Sequence, residues 1–504
     1  VYILLDTLRG RKVQEVGRYC SEGLIPGDHM MRRTKIVATI GPSSYDREVL
    51  KEMIEAGMNV ARQNFSHGTL QEHEEVLETL RSLSSDIAVM MDTQGPEVRL
   101  KRVAENTVLE EGTVVTLTSD DVLGDANTLS VDYPGIFHHL EPGDIVLLDD
   151  GEIELEVEEV GDVAVCRVLH GGLILSKKSV NVPGKDIGLR TPTMKDGDDI
   201  KNGARMGFDY VAASFVKSAD DVKAIRYLLE QENSDMDIIA KVEHLKAIEN
   251  LDEILDAADG IMIARGDLGV EVPASDVPIL QKKIIEKCNL KEKPVITATQ
   301  MLKSMTEKPR ATRAEVSDVA NAVIDGSDAV MLSEETAAGR YPVKVLRFMS
   351  EVIMRTEEHL IGRVHHTVKG EAMDVSEIIS KNVWQAAKNL KARYIVAHTA
   401  SGYTARKISK FKPDVDIIVF TDSHEVKRKL SLVWGIKAFH CEFLEHVDET
   451  ICESVFQLYQ DGSVDPEDTL ILTAGVPALV SGVTNMMEIR TVRSLLDERK
   501  KILS

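Results

Sequence analysis

From Thr34 onward, short β-branched runs alternate with longer amphipathic, charged stretches, and no other feature restricts the fold of this chain as strongly. The runs cover residues 34–40, 58–62, 87–91, 210–214, 238–241, 261–264, 294–297 and 329–332. Eight runs with intervening helices are the arithmetic of a (β/α)8 barrel.

The third and fourth runs are separated by residues of another character, 97–188, in which Gly and Pro punctuate alternating strands such as Gly143-Asp-Ile-Val-Leu-Leu148 and Glu152-Ile-Glu-Leu-Glu-Val-Glu158. That pattern predicts a small all-β domain inserted in a βα loop, leaving 31–96 and 189–360 to the barrel. Loops at the C-terminal ends of barrel strands lie over the mouth, so the insert is placed to act as a lid. Beyond Leu360 a new α/β pattern begins, with strands Tyr394-Ile-Val-Ala397, Asp416-Ile-Ile-Val-Phe420 and Thr469-Leu-Ile-Leu-Thr473. It predicts a third, doubly wound domain over 375–504. The expected fold class is α/β: a barrel, an inserted β lid and a C-terminal doubly wound domain.

At 504 residues the chain exceeds one ordinary core and suits about three domains. A formal net charge of −23 argues against a nucleic-acid partner, which needs a concentrated basic surface. Cys20, Cys166, Cys288, Cys441 and Cys452 stand at long, odd spacings without a C-x-x-C pair, and read as reduced thiols of a cytoplasmic chain. No apolar run approaches membrane-spanning length, so a membrane partner is not expected. Residues 1–30 have neither a signal h-region nor the composition of a transit peptide, and are set apart as an extension.

In a barrel of this kind, catalytic groups come from the C-terminal strand ends. Here those ends are polar. The second run continues as Arg62-Gln-Asn64-Phe-Ser66-His67, and the third ends in Asp92-Thr93-Gln94. The fifth gives Lys241 and Glu243, which strand geometry puts on one face, and the sixth runs into Ala264-Arg265-Gly266-Asp267. The seventh gives Thr299-Gln300 and the eighth Ser333-Glu334-Glu335. Two carboxylates from neighbouring strands suit a hard divalent cation, and a lysine beside them suits a phosphoryl group. A buried structural ion pair accounts for Lys241, Glu243 and Asp267 as well when that pair of strands is taken alone. With no Walker-type loop and no nucleophilic triad, the whole mouth points to metal-assisted phosphoryl transfer.

Over residues 32 to about 490 the chain resembles the pyruvate kinase family. The resemblance rests on Arg33-Thr-Lys-Ile-Val-Ala-Thr-Ile-Gly-Pro-Ser43, Asn59-Val-Ala-Arg-Gln-Asn-Phe-Ser-His-Gly68, Lys241-Val-Glu243, Ile261-Met-Ile-Ala-Arg-Gly-Asp-Leu-Gly269, Met331-Leu-Ser-Glu-Glu-Thr-Ala337, and the run from Lys308-Pro-Arg to Val323. It implies transfer of the phosphoryl group of phosphoenolpyruvate to ADP, giving pyruvate and ATP, the last step of glycolysis. By position, it implies that Glu243 and Asp267 hold Mg2+ or Mn2+, with the Ala264, Arg265 and Gly266 backbone near the substrate carboxylate. Lys241 is then the group that stabilises the phosphoryl in flight and Arg62 holds the phosphate. Asn64, Ser66, Asp92 and Thr93 are implied ligands of K+, and Asn64, His67 and Arg99 are implied nucleotide contacts. Thr299 falls near the methylene face of the enolate and, with Ser333, in a proton relay. The family habit is a homotetramer.

Two positions depart from the family pattern: Gln94, where many members carry lysine, and Glu334, where glycine is common. Glu97 is the residue type that accompanies potassium dependence. In the third domain Thr399-Ala-Ser401-Gly402-Tyr-Thr404 lies between a strand and a helix, where hydroxyls and a glycine suit a phosphate. The family binds phosphorylated effectors at this loop. The segment 473–485 lacks the Trp and Arg of members that respond to fructose 1,6-bisphosphate, so a sugar monophosphate or AMP is as well suited as that bisphosphate. Two rivals are a carbon–carbon lyase barrel and an inactive regulatory homologue. The lid, the cation-site residues and the third domain speak against the first, and the presence of Lys241, Glu243 and Asp267 against the second.

Overall fold

The structure, a computed structural model, describes residues 32–361, 374–475 and 482–503. The extension 1–30 and part of the 473–485 segment lie outside the described residues. Strands Lys35–Ile40, Val60–Asn64, Ala88–Asp92, Tyr210–Ala213, Asp237–Val242, Gly260–Ala264, Val295–Ala298 and Ala329–Leu332 pair in parallel and close into one barrel. Both faces of every strand are covered, which is why the sequence shows nearly continuous apolar runs rather than alternation. Val37, Val60, Met90, Tyr210, Ile239 and Met262 fill the interior, while Ile36, Ala38, Val89, Val211, Ile238 and Ile261 pack outward against the helices.

Helix ends are specified locally. Thr69, Thr193, Ser218 and Thr312 each form a capping box with the acidic residue three positions on, Glu72, Asp196, Asp221 and Glu315. Such signals divide the charged stretches between strands into discrete helices.

Between the third and fourth barrel strands the chain forms a curled six-stranded sheet and a two-stranded ribbon. Its strand Ile153–Val160 buries Ile153, Leu155 and Val157 and turns the intervening glutamates outward. This period-2 pattern gives the lid domain a core of its own, centred on Leu117, Leu129, Val146 and Val168. In the C-terminal α/β domain the sheet order is Ile436–His440, Ile417–Thr421, Tyr394–His398, Thr469–Ala474 and Met486–Thr491, the last strand antiparallel. Helices Val375–Leu390 and Tyr403–Ser409 cover one face, and Val447–Gln460 and Val492–Leu503 the other.

The C-terminal domain closes the floor of the barrel. Leu432, fully buried, joins the interior barrel residues from below. Around it Tyr210 Oη donates to the Lys429 carbonyl at 2.5 Å, Lys35 Nζ to that of Ile436 at 2.6 Å, and Gly435 N to that of Arg33 at 3.0 Å. Carboxylates at the N-terminal strand ends meet cations of the C-terminal domain: Asp209 lies 2.6 Å from Arg428, Asp237 3.1 Å from Lys429 and Asp328 2.9 Å from Lys412. Among the described residues no helix is long and apolar enough to cross a membrane. Cys166, Cys288, Cys441 and Cys452 are buried free thiols, and Cys20 lies outside the described residues. Leu432→Ala is expected to lower the unfolding free energy by about 2–5 kcal/mol, measured by denaturant titration, because the floor cannot collapse into the cavity. A loss within the ~0.5 kcal/mol of an ordinary surface change would mean that the plug contributes nothing.

Candidate active site

The C-terminal mouth opens into a cleft of about 680 Å³ lined by Arg62, Asn64, His67, Asp92, Lys241, Ala264, Asp267, Thr299 and Ser333 among others. The strand ends therefore deliver most of the sequence-predicted residues to one place. Asn64 and Asp92 are register partners on adjacent strands.

Lys241 is the centre of the charge network. Its ammonium lies 2.8 Å from Glu243 Oε1 and 3.1 Å from Asp92 Oδ1, and donates to Ser214 Oγ at 2.7 Å. Burial opposes its charge, but Asp92, Glu243 and Asp267 outweigh it and hold the ammonium above the ordinary lysine range. Arg62 donates to Asp92 Oδ2 at 2.6 Å and to Thr39 Oγ1 at 2.9 Å. Burial would raise the Asp92 carboxyl, yet Arg62 and Lys241 keep it below its usual range. Glu243 has the opposite balance: burial and the nearby Asp267 push its carboxyl up against the pull of Lys241 and a 2.6 Å bond from Phe215 N. Asp267 opens into the cleft, but the protein around it removes enough water to raise its carboxyl too.

Backbone geometry holds the other groups. Thr299 and Gln300 both have left-handed backbones, φ 63° and 57°, a strained setting for a β-branched threonine. The turn aims Thr299 Oγ1 at Gly266 N, which donates to it at 2.9 Å. Glu335, buried, accepts from Ser333 N at 2.7 Å and from Leu302 N at 3.1 Å, tying the loops after the seventh and eighth strands together. Gly95, φ 76°, passes so close to strand four that a Cβ there would lie 2.6 Å from Phe215.

Not every expected residue meets the cleft. The Arg265 guanidinium turns away into a bidentate pair with Asp318, both contacts 2.7 Å, leaving only its backbone near the mouth. Thr93 and Ser66 do not line it: Thr93 Oγ1 accepts from Ser214 N at 3.0 Å, and Ser66 N donates at 3.1 Å to Oδ1 of Asn64, which does border the cleft. Arg99 lines a separate cleft of about 310 Å³ between lid and barrel, paired with Glu97 at 2.5 Å. Asp267 borders both clefts. In the third domain Gly402, φ 78°, caps the helix Tyr403–Ser409, its N–H donating to Thr399 Oγ1 at 3.0 Å. Thr399, Ser401 and Thr404 line a pocket there, backed by the buried His398.

Thr39, Ser214, Glu335 and Asp318 hold the site together and were given no role from sequence. Ser214 had the clearest signal, a hydroxyl ending the fourth run. Asp318 had none, because it sits mid-helix in Arg313–Asp325.

A lidded (β/α)8 barrel with charged groups gathered at its C-terminal mouth is the architecture of a barrel enzyme. The family model described as pyruvate kinase, barrel domain, matches residues 31–346, and that described as pyruvate kinase, alpha/beta domain, matches 377–490. The chain is 44% identical over 478 residues to the pyruvate kinase of Geobacillus stearothermophilus, covering 93% of this chain and 81% of that protein. It is also 44% identical over 473 residues to that of Bacillus licheniformis, covering 92% and 81%. The crystal structure of a pyruvate kinase from Cryptosporidium parvum superposes with a TM-score of 0.86 at 35% identity, covering 92% of this chain and 96% of that one. The chain belongs to the pyruvate kinase family and is an enzyme of that kind.

Glu335→Ala is expected to leave two buried N–H donors without acceptors, costing about 1–3 kcal/mol each. Denaturant titration reads the stability loss. The loosened Thr299 and Ser333 loops should lower turnover in parallel, and a variant with unchanged turnover would remove Glu335 from the positioning of the site.

Proposed function

We propose that this chain transfers the phosphoryl group of phosphoenolpyruvate to ADP, giving pyruvate and ATP, at the mouth around Lys241. The observation that carries the reading is one ammonium gathered with Arg62 among Asp92, Glu243 and Asp267 at the strand ends of a lidded barrel. Positioning and electrostatics dominate such transfers, and this cleft supplies both.

Glu243 and Asp267 are hard oxygen donors whose carboxyls are raised by burial and by nearby carboxylates, Asp267 for Glu243 and Asp150 and Glu97 for Asp267, which a divalent cation would relieve. They would hold Mg2+ or Mn2+. Two carboxylates would leave the remaining coordination positions to substrate and water. When bound, the cation supplies charge neutralisation at the phosphoryl oxygens. Asn64, Ser66, Asp92 and Thr93 would hold K+.

Arg62 binds the phosphate, and the Ala264–Gly266 backbone faces the carboxylate of phosphoenolpyruvate. Lys241 then offsets the negative charge that builds as an oxygen of the ADP terminal phosphate attacks phosphorus. Thr299, with Ser333, passes a proton to the released enolate. Asn64 and His67 contact the nucleotide from the barrel and Arg99 from the lid. The Thr399, Ser401, Gly402 and Thr404 loop takes a phosphorylated effector, a sugar phosphate or AMP, in a cytoplasmic homotetramer.

A coupled assay for pyruvate formation from phosphoenolpyruvate and ADP tests the reaction, with candidate effectors added in a second series. Lys241→Ala should keep its circular dichroism and substrate binding but lose about 10²–10³-fold or more in turnover. Near-normal turnover would refute the role of Lys241. Chelation of divalent cations should abolish activity, with recovery on adding Mg2+. Activity should also rise with potassium, and equal rates in potassium-free buffer would contradict the cation reading of Asn64, Ser66, Asp92, Thr93 and Glu97.

A further inference from the structure

The returning stem of the lid is tied to the barrel by one carboxylate shared between two lysines. Asp186 Oδ1 lies 2.7 Å from Lys217 Nζ and its Oδ2 2.9 Å from Lys246 Nζ, while Gly188 N donates to Oδ1 at 3.2 Å. Lys217 follows the fourth barrel strand and Lys246 lies on the short helix Leu245–Glu249 after the fifth. Lys217 Nζ also donates to the Leu189 carbonyl at 2.8 Å. Burial pushes the Asp186 carboxyl up, but the two ammonium groups outweigh it and hold the group well below the usual carboxylate range.

Two residues upstream the same stem meets the segments that carry Glu243 and Asp267. Gly184 N donates to Glu271 Oε2 at 3.2 Å, and His244 Nε2 lies 3.3 Å from the Lys185 carbonyl. Glu271 shares the helix Arg265–Glu271 with Asp267, and His244 directly follows Glu243. The cleft between lid and barrel is lined by Arg99 and Asp150 from the lid, by Asp186 and Lys217 of this junction, and by Asp267. The Asp186 and Lys246 side chains keep 31% and 45% of their exposure, so this bridge adds little to global stability. What it fixes is the lateral position of the stem, because one carboxylate must satisfy donors from two different βα loops at once.

We propose that Asp186 is a positioning residue of the transfer site: by bridging Lys217 and Lys246 it sets how closely the lid approaches Asp267, and so the fit of the nucleoside diphosphate between lid and barrel. This rests on the proposed transfer reaction at the mouth.

The test compares full-length wild-type enzyme with Asp186→Asn and Asp186→Glu by steady-state kinetics, thermal unfolding and amide hydrogen exchange. For Asp186→Asn, kcat/KM for ADP should fall about tenfold, mainly through KM for ADP, with KM for phosphoenolpyruvate held within about twofold. Exchange at 182–189 should quicken while the unfolding midpoint stays in place. Asp186→Glu should recover most of the loss. Unchanged exchange at the stem would overturn the proposal, as would unchanged kcat/KM or a loss that follows a fallen unfolding midpoint. The exchange measurement needs no turnover, so an inactive wild type would sink the proposed reaction while still judging the bridge.

Discussion

Lys241 is buried, and its charge survives there only because Asp92 and Glu243 lie within about 3 Å and Ser214 accepts a further hydrogen bond. Each partner is bound in turn. Asp92 is shared with Arg62, which reaches Thr39, and Glu243 accepts from the Phe215 backbone. The network therefore joins the first five strands of the barrel at their C-terminal ends. It remains acidic overall, three carboxylates with Asp267 against two cations, and burial raises the carboxyls of Glu243 and Asp267, helped for Glu243 by the nearby Asp267.

Stability is invested at the other end. At the floor, Asp209, Asp237 and Asp328 meet Arg428, Lys429 and Lys412, and Leu432 seals the barrel interior. Each carboxylate there has a cation from the C-terminal domain. The barrel thus separates the ion pairs of the floor from the charged groups gathered at the mouth.

Much of this was legible in the residues. The eight barrel strands lie where the apolar runs stand, because a strand buried on both faces must be apolar throughout. The polar ends of those runs marked the mouth, because Arg62, Asp92 and Lys241 recur together at the C-terminal ends of barrel strands. Less could be read where a side chain's direction depends on a distant partner. Arg265 stands in the same motif as Asp267, yet Asp318 on a later helix draws its guanidinium away. Glu335 is one of two adjacent glutamates, and only the fold distinguishes the one that ties two loops from the one that faces the cleft.

The sequence alone determined the strand and helix periods, the order of the three domains and the chemical character of each strand end, because these depend on local pattern and composition. It also placed Lys241 and Glu243 on one face, a consequence of the two-residue repeat of a strand. Which groups touch was decided by tertiary structure. Asp92 and Lys241 are 149 residues apart, and closure of the barrel, with the lid excursion between them, brings them within 3.1 Å. The height of the lid over Asp267 was likewise beyond local pattern, because it is set by contacts between segments that meet only once the barrel has closed.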